Sequence, residues 1–251
     1  MSLVALCSAH AAPGVTTAAL VLAAAWPPDR GGVVVVEADP SGGVVAARFG
    51  LGDNAGLASL AVASRSTVTP DVLGGHVQEL PGGLPVVVGP ATPEQAAMVL
   101  PDVTPALVSV SATLDVVVDA GRVLPGSPTM GLLRAASVVL VVVRPSPDQL
   151  RPVATRVGAL QRAGVHVAVC LIGTAPYGLA EVETVLGVEV AGVLAWDPRS
   201  ADALSGADTP RRGLRHMPLA RSAATLAEHL AVRLTAAGPV PEGSQIAGGV
   251  R

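Results

Sequence analysis

Short runs of apolar residues, mostly valine, alternate along the chain with longer segments that mix apolar and polar residues. Two of these runs, residues 33–36 and 138–143, contain no polar position, which is typical of strands buried on both faces of a parallel sheet. The apolar runs predict strands at residues 3–8, 33–38, 77–80, 84–88, 114–119, 137–143, 165–172 and 189–194.

The mixed segments between these runs have helical character. They predict helices at residues 16–25, 56–63, 93–111, 147–163 and 219–236. The first is expected to end before Pro27-Pro28, and Pro101 and Pro105 are expected to interrupt the third. Strands that alternate with helices form βαβ units. We therefore expect an α/β fold with a doubly wound, mainly parallel sheet flanked by helices.

Length and composition favour one domain. The chain has 251 residues, enough for a single large α/β domain, which we place at residues 1–237. Residues 238–251 are rich in proline, glycine and serine at their start, and this composition predicts a flexible C-terminal tail. Aromatic residues make up only 2% of the chain, so valine, leucine and alanine must supply the core.

Charge and hydropathy indicate which partners and which cellular location to expect. A formal net charge of −3 argues against nonspecific nucleic-acid binding by the domain as a whole. No apolar run approaches the roughly 18 to 20 residues of a membrane-spanning helix, and the N-terminus lacks the positive start of a signal peptide. We expect a cytoplasmic protein that does not insert into membranes.

The segment after the first predicted strand has the form of a phosphate-binding loop without its lysine. Residues 8–17 read Ser-Ala-His-Ala-Ala-Pro-Gly-Val-Thr-Thr. A P-loop normally places a lysine directly before its Thr or Ser, where the ammonium reaches the β- and γ-phosphates. Val15 stands in that place, and all 16 basic residues of the chain are arginine, so no other lysine can replace it.

Two acidic residues follow other predicted strands. Asp39 lies in the segment Glu-Ala-Asp-Pro at residues 37–40, and Asp119 ends the strand at residues 114–119. The carboxyl ends of parallel strands meet at one edge of a sheet, where ligands bind. Taken singly, Asp39 suits an Asp-Pro turn and Asp119 a strand-end cap. Together with the Thr16-Thr17 loop, and in this order, they favour a site.

With these three segments the sequence resembles the ParA/MinD family of deviant-Walker-A ATPases over most of residues 2–235. The family loop reads Lys-Gly-Gly-any-Gly-Lys-Thr-Ser/Thr, and its places fall in turn on His10, Ala11, Ala12, Pro13, Gly14, Val15, Thr16 and Thr17. The resemblance places Asp39 by the γ-phosphate, as the catalytic residue if the site is active. It makes Asp119 the Walker B acid near magnesium. Residues 195–199 resemble the family's Pro-x-Asp segment near the base, and residues 218–221 its C-terminal end.

The resemblance implies ATP and Mg²⁺ as cofactors, and the altered loop leaves open whether any cofactor binds. The implied nucleotide-binding residues are His10, Pro13, Gly14, Val15, Thr16, Thr17 and Asp119, with Thr16 and Asp119 also at the metal. Pro13 removes an N–H donor. Each lost charged hydrogen bond costs about 1.5–3 kcal/mol. Losing both family lysines therefore weakens ATP binding by roughly a hundredfold to ten-thousandfold.

Three functions are considered for a chain with these residues. The first is a degenerate ParA/MinD-like positioning, partitioning or scaffold factor with weak or no ATP hydrolysis, analogous to TadZ/CpaE-like members that place pilus or secretion machinery. The second is an active ATPase in which Arg122, Arg144 or Arg199 replaces the lysine, although ordinary loop arginines are the simpler interpretation. A small-molecule enzyme on the same sheet has no catalytic constellation in its favour.

The resemblance also bears on partners. Family members form dimers that sandwich nucleotide through the signature lysine, so we expect a homodimer and an unidentified protein partner. His10 in the place of that lysine makes nucleotide-driven dimerisation doubtful. The basic cluster of Arg211, Arg212 and Arg215 suits DNA contact, although a solvated loop is the favoured interpretation.

Overall fold

The computed structural model describes residues 1–10, 14–64, 69–205 and 216–237. The strands in these ranges are β1 (Leu3–Ser8), β2 (Val33–Glu37), β3 (Gln78–Leu80), β4 (Leu84–Val87), β5 (Asp115–Arg122), β6 (Val138–Val143), β7 (Val167–Ile172) and β8 (Val190–Leu194). The helices are α1 (Val15–Ala24), α2 (Val45–Phe49), α3 (Leu57–Ala63), α4 (Pro70–Gly74), α5 (Pro93–Val110), α6 (Met130–Ala135), α7 (Pro147–Arg162), α8 (Leu179–Leu186), α9 (Pro198–Leu204) and α10 (Pro218–Ala237). Several predicted features lie outside the described residues: Ala11, Ala12 and Pro13 of the loop, the cluster of Arg211, Arg212 and Arg215, and the tail at 238–251.

The strands form one eight-stranded sheet in the order β3-β4-β2-β5-β1-β6-β7-β8. Every neighbouring pair is parallel except β3 and β4, which are antiparallel. The predicted α/β fold with a mainly parallel sheet is confirmed. Because β1 lies between β5 and β6, the segments that follow these three strands meet at the same edge of the sheet.

Helices cover both faces of this sheet. Alternate residues of β1 show the two directions: Leu3, Ala5 and Cys7 pack with α3, α5, α6, α7 and α8, whereas Val4 and Leu6 pack with α1, α2 and α10. Both clusters consist almost entirely of valine, leucine and alanine, as the low aromatic content requires. Burial on both faces explains why the strands lack the alternation of half-exposed sheets.

The predicted interruption of the third helix is wrong. α5 continues through Pro101 and Pro105 as one helix. The two prolines are four residues apart, so they share a face of the helix, and both are exposed. The carbonyl groups that lose an N–H partner therefore face water, which satisfies them without breaking the helix.

Five helices were not predicted from the sequence: α2, α4, α6, α8 and α9. Each has only five to eight residues, about two turns or fewer, which is too short to show the 3.6-residue period. None of the helices in the described ranges is both long and apolar enough to cross a membrane.

A buried carboxylate anchors the sheet edge opposite the carboxyl ends of the strands. Asp115, at the start of β5, accepts hydrogen bonds from the backbone N–H of Ser2 (2.7 Å), Nε1 of Trp26 (2.9 Å) and Nε of Arg30 (2.6 Å). Arg30 also donates to the carbonyl of Ala231 (3.2 Å) and the hydroxyl of Thr235 (2.8 Å) in α10. This network joins β5, the end of the α1 segment and α10.

Candidate functional site

The site begins at the N-terminus of α1, directly after the loop. Gly14 precedes the helix with φ 98° and ψ 43°, a left-handed conformation that glycine adopts readily. No described side chain caps the helix, so its first N–H groups and positive dipole end are available to an anion. The left-handed conformation at this position therefore explains why the loop has a glycine at residue 14.

The side chain of Val15 does not take part in this polar surface. It is 7% exposed and packs in the α1-side core. A side chain buried in this way contributes packing and no hydrogen bond, although the backbone N–H of Val15 belongs to the first turn of α1. In the described residues, nothing at this position supplies the positive charge that a P-loop lysine supplies.

Thr16 and Asp119 lie together, as the sequence predicted for residues of one site. Asp119 is 1% exposed at the end of β5, and Gly121 donates its backbone N–H to Oδ1 at 3.0 Å. Oδ2 is buried and has no hydrogen-bond partner among the described residues. A buried polar atom without a partner is uncommon and calls for an explanation such as a ligand or ion.

Burial raises the pKa of Asp119 to about 7, and the nearby carboxylates of Glu37 and Asp39 add to the increase. The hydroxyl of Thr16 and the N–H of Gly121 lower the pKa, and both of these groups are uncharged. The groups that stabilise the charge of Asp119 are therefore uncharged, whereas Glu37 and Asp39 oppose it. The surroundings of Asp119 thus favour the arrival of positive charge.

Asp39 approaches the same point from β2. Its Oδ1 accepts the backbone N–H of Ser41 at 2.8 Å, and its carboxyl packs directly on the backbone of Gly121. A Cβ at Gly121, whose φ is 55°, would lie 2.0 Å from Cγ of Asp39. Glycine is therefore required here, because it lets the ends of β2 and β5 come into contact.

Glu37 has a structural role that the sequence did not indicate. This buried carboxylate accepts the N–H groups of Val44 (2.6 Å) and Val45 (2.9 Å) on Oε1 and that of Gly89 (2.9 Å) on Oε2. It ties the start of α2 to the segment after β4. In the sequence, the one indication of this role was that Glu37 directly follows the apolar run of residues 33–36.

His10 lies apart from the carboxylates. It is exposed, and it lies close enough to Asp148, near the start of α7, to influence that carboxyl electrostatically. The Ser146 hydroxyl, and to a lesser extent the charge of His10, lower the pKa of Asp148. The structure therefore brings Thr16, Asp39 and Asp119 together, and it places His10 toward α7.

A cleft of about 220 Å³ opens on the other side of the α1 N-terminus. Gly14 and Thr17 form one wall, and the β8–α9 segment with Trp196 and Asp202 forms another. Arg144, which follows β6, lines this cleft and also an adjoining cleft of about 780 Å³. The predicted Pro-x-Asp-like segment thus faces the start of α1.

Arg144 is held over Trp196, with the guanidinium carbon 3.9 Å from the centre of the ring. The backbone N–H of Arg144 donates to Oε1 of the buried Gln149 at 3.0 Å, which fixes the turn. The sequence named Arg144 only as one of three candidate arginines, and the stacking on Trp196 was missed. The signal was the presence of Trp196 itself, because the chain has only two tryptophans.

No group of three or more His, Cys, Asp or Glu side chains that could hold a metal ion occurs in the described ranges. The free Oδ2 of Asp119 and the Thr16 hydroxyl still suit magnesium, because Mg²⁺ is usually bound by one or two protein oxygens together with substrate phosphates and water. The donor set therefore fits a metal that arrives with a phosphate ligand.

No protein-family model and no curated protein matches the sequence of this chain. Solved structures do match the fold. The cell division ATPase MinD of Pyrococcus furiosus has a TM-score of 0.73 at 19% identity, covering 92% of this chain and 99% of its own. A ParA family ATPase from Chlorobium tepidum has a TM-score of 0.73 at 19% identity, covering 91% and 98%. The septum site-determining protein MinD of Pyrococcus horikoshii, complexed with Mg-ADP, has a TM-score of 0.71 at 17% identity, covering 91% and 95%. The chain has the fold of these ParA and MinD ATPases.

Proposed function

We propose that the chain is a degenerate member of the ParA/MinD family, a positioning or partitioning factor that binds nucleotide weakly and hydrolyses it slowly or not at all. The observation that carries this proposal is the buried carboxyl of Asp119. It lies beside Thr16 and Asp39, its Oδ2 has no hydrogen-bond partner among the described residues, and the groups that stabilise its charge are uncharged. The acidic part of a magnesium-nucleotide site is present without its lysines.

The acidic groups support magnesium binding at the carboxylate side of α1. Thr16 and Asp119 would hold Mg²⁺, and Asp39 would lie close to it. Magnesium supplies charge neutralisation to the phosphates of a bound nucleotide. The MinD of Pyrococcus horikoshii, which shares the fold, is complexed with Mg-ADP, and we extend that ligand class to this chain.

The missing cations support weak binding and slow turnover. Val15 is a core residue, and His10 lies toward Asp148. Phosphoryl transfer depends on positive charge positioned at the transferred group. Removing one such donor from an active site commonly costs a factor of roughly 10² to 10³ in rate, by analogy with oxyanion holes. Loss of two cations therefore lowers hydrolysis more than binding.

Titration with Mg-ATP, together with a hydrolysis assay, tests this proposal. We expect dissociation constants in the millimolar range and a turnover no greater than that of the Asp119→Asn variant. That variant is the matched control, because it removes the carboxylate at nearly constant volume. Tight, magnesium-dependent binding with turnover that Asp119→Asn abolishes would instead establish an active ATPase.

The second part of the proposal is that the protein helps to position a partner within the cell. Cell division and ParA-type ATPases with this fold support it. We infer a cytoplasmic protein that forms a homodimer and recruits a protein partner. A fluorescent fusion in the native cell should concentrate at a defined place, such as a pole or a division site. A uniform distribution in growing cells would contradict a positioning role.

A further inference from the structure

Arg144 is a half-buried cation without a counter-ion. Its Nε is fully buried and has no hydrogen-bond partner, and no described carboxylate pairs with its guanidinium. Asp197 and Asp202 line the same cleft, but neither forms an ion pair with Arg144, and the oxygens of Asp197 accept hydrogen bonds from the N–H and hydroxyl of Ser200. A partly buried charge is unfavourable unless it is paired. An anionic ligand in the cleft would satisfy it.

The guanidinium is also held in place before any ligand arrives. Trp196 supports one of its faces, and the backbone of Arg144 is fixed by Gln149 and by the turn in which Ser146 donates its N–H to the carbonyl of Arg144 at 2.8 Å. Stacking on an aromatic ring leaves the edge of the guanidinium free for bidentate contact with a phosphate. The side chain is therefore pre-organised to bind an anion.

The position of Arg144 along the sheet determines which part of a bound nucleotide it can contact. Asp39 and Asp119 follow β2 and β5, whereas Arg144 follows β6, on the far side of β1. Neighbouring strands are about 4.8 Å apart, so the end of β6 lies about 10 Å from the end of β5. The cation and the carboxylates are thus at opposite ends of the site.

We infer that Arg144 binds the phosphate nearest the nucleoside of a bound nucleotide, in the cleft between Gly14, Thr17 and Trp196. This inference rests on the proposed nucleotide binding. It goes beyond that proposal because it assigns the binding of one particular phosphate to one arginine. It also explains why Arg144 would not restore hydrolysis. The terminal phosphate would then lie toward Asp39 and Asp119, on the far side of β1 from Arg144.

Binding of adenosine, AMP and ATP to the Arg144→Gln variant tests the inference. Adenosine has no phosphate and AMP has only the one next to the nucleoside. Loss of one charged hydrogen-bonding group should weaken AMP and ATP by the same factor, about tenfold to a hundredfold, and leave adenosine within about twofold. Arg144→Lys, which keeps the charge, should recover part of the loss. Affinities are measured by NMR titration, with thermal melting to confirm that each variant is folded.

Arg151→Gln is the matched control. Arg151 is exposed on α7, outside the residues that line either cleft, and its replacement makes the same change of charge. AMP binding by Arg151→Gln should equal that of the unsubstituted protein. Equal affinity in Arg144→Gln would overturn the inference and leave weak nucleotide binding intact. A loss restricted to ATP would overturn it too, because Arg144 would then reach the terminal phosphates. If the unsubstituted protein binds none of the three ligands, both the inference and the proposed nucleotide site fail.

Discussion

The carboxyl of Asp119 is buried next to two other carboxylates, and the groups that stabilise its charge are a hydroxyl and an N–H. Its pKa of about 7 lies well above the ordinary value of 3.8. In the absence of metal and nucleotide, the folded protein therefore keeps a proton on Asp119 that the unfolded chain has lost. Between these two pKa values the folded state binds more protons than the unfolded state.

This difference predicts how stability depends on pH. The free energy of unfolding should fall as pH rises from about 4 to about 7 and then level off, since a raised carboxyl pKa favours the folded state only while the group is protonated. The Asp119→Asn variant cannot ionise. It should match the unsubstituted protein near pH 4 and exceed it by a few kcal/mol near pH 8, at about 1.4 kcal/mol per pKa unit. Urea unfolding at several pH values, with EDTA present, measures the difference, and a difference that stays constant with pH would contradict the prediction.

Some of these residues could be predicted from the sequence and others could not. The proximity of Thr16, Asp39 and Asp119 follows from three parallel strands that end at one edge, so their order along the chain was enough. The orientation of Arg144 over Trp196 depends on how two loops pack, which no periodic pattern records. The sequence alone shows that Val15 replaces the P-loop lysine. That the Val15 side chain is buried in the core could be learned only from the structure.

Along the elements, the sequence predicted every strand of the sheet to within two residues at its N-terminal end. Runs of valine have no alternation that could be confused with an amphipathic helix, and Gly or Pro punctuates them. The C-terminal end of β5 was less well predicted, because Ala120 and Gly121 continue the strand beyond the expected end at Asp119. That extension places Gly121 against Asp39 and so helps to assemble the site.

The ion pair between Arg30 and Asp115 connects elements far from the site. The Arg30 side chain reaches from the segment after α1 to β5 and α10, and the Asp115 side chain is 1% exposed. Removing one partner of a buried ion pair leaves the other charge uncompensated, at a cost of about 3–5 kcal/mol. Exposed pairs such as that of Arg233 with Glu189 contribute about 0–1 kcal/mol.

We therefore expect Arg30→Gln to lower the free energy of unfolding by about 3 kcal/mol. The same substitution at Arg233, on α10, is the control, and it should cost less than about 1 kcal/mol. Urea unfolding at constant pH and salt measures both values. Equal effects of the two substitutions would show that the Asp115 network does not anchor α1 and α10 to the sheet.

At the scale of the whole molecule, the proposed site leads to a prediction about dimerisation, because His10 and Val15 occupy the two positions at which the family loop carries lysine. In the family the signature lysine joins two subunits through the nucleotide. Here His10, an exposed imidazole, stands in the place of that ammonium. Nucleotide bound through Arg144 and Asp119 would occupy one subunit without attracting the second.

Sedimentation velocity with and without Mg-ATP should therefore give the same species at each protein concentration. The expected result is a homodimer whose proportion depends on protein concentration and is unaffected by millimolar nucleotide, because the cation that would connect the subunits through the phosphates is absent at residue 10. Asp119→Asn should sediment identically, since it alters only the carboxylate side of the same site. A shift from monomer to dimer on adding Mg-ATP, lost in Asp119→Asn, would show that another residue performs the role of the signature lysine and that the protein switches with nucleotide.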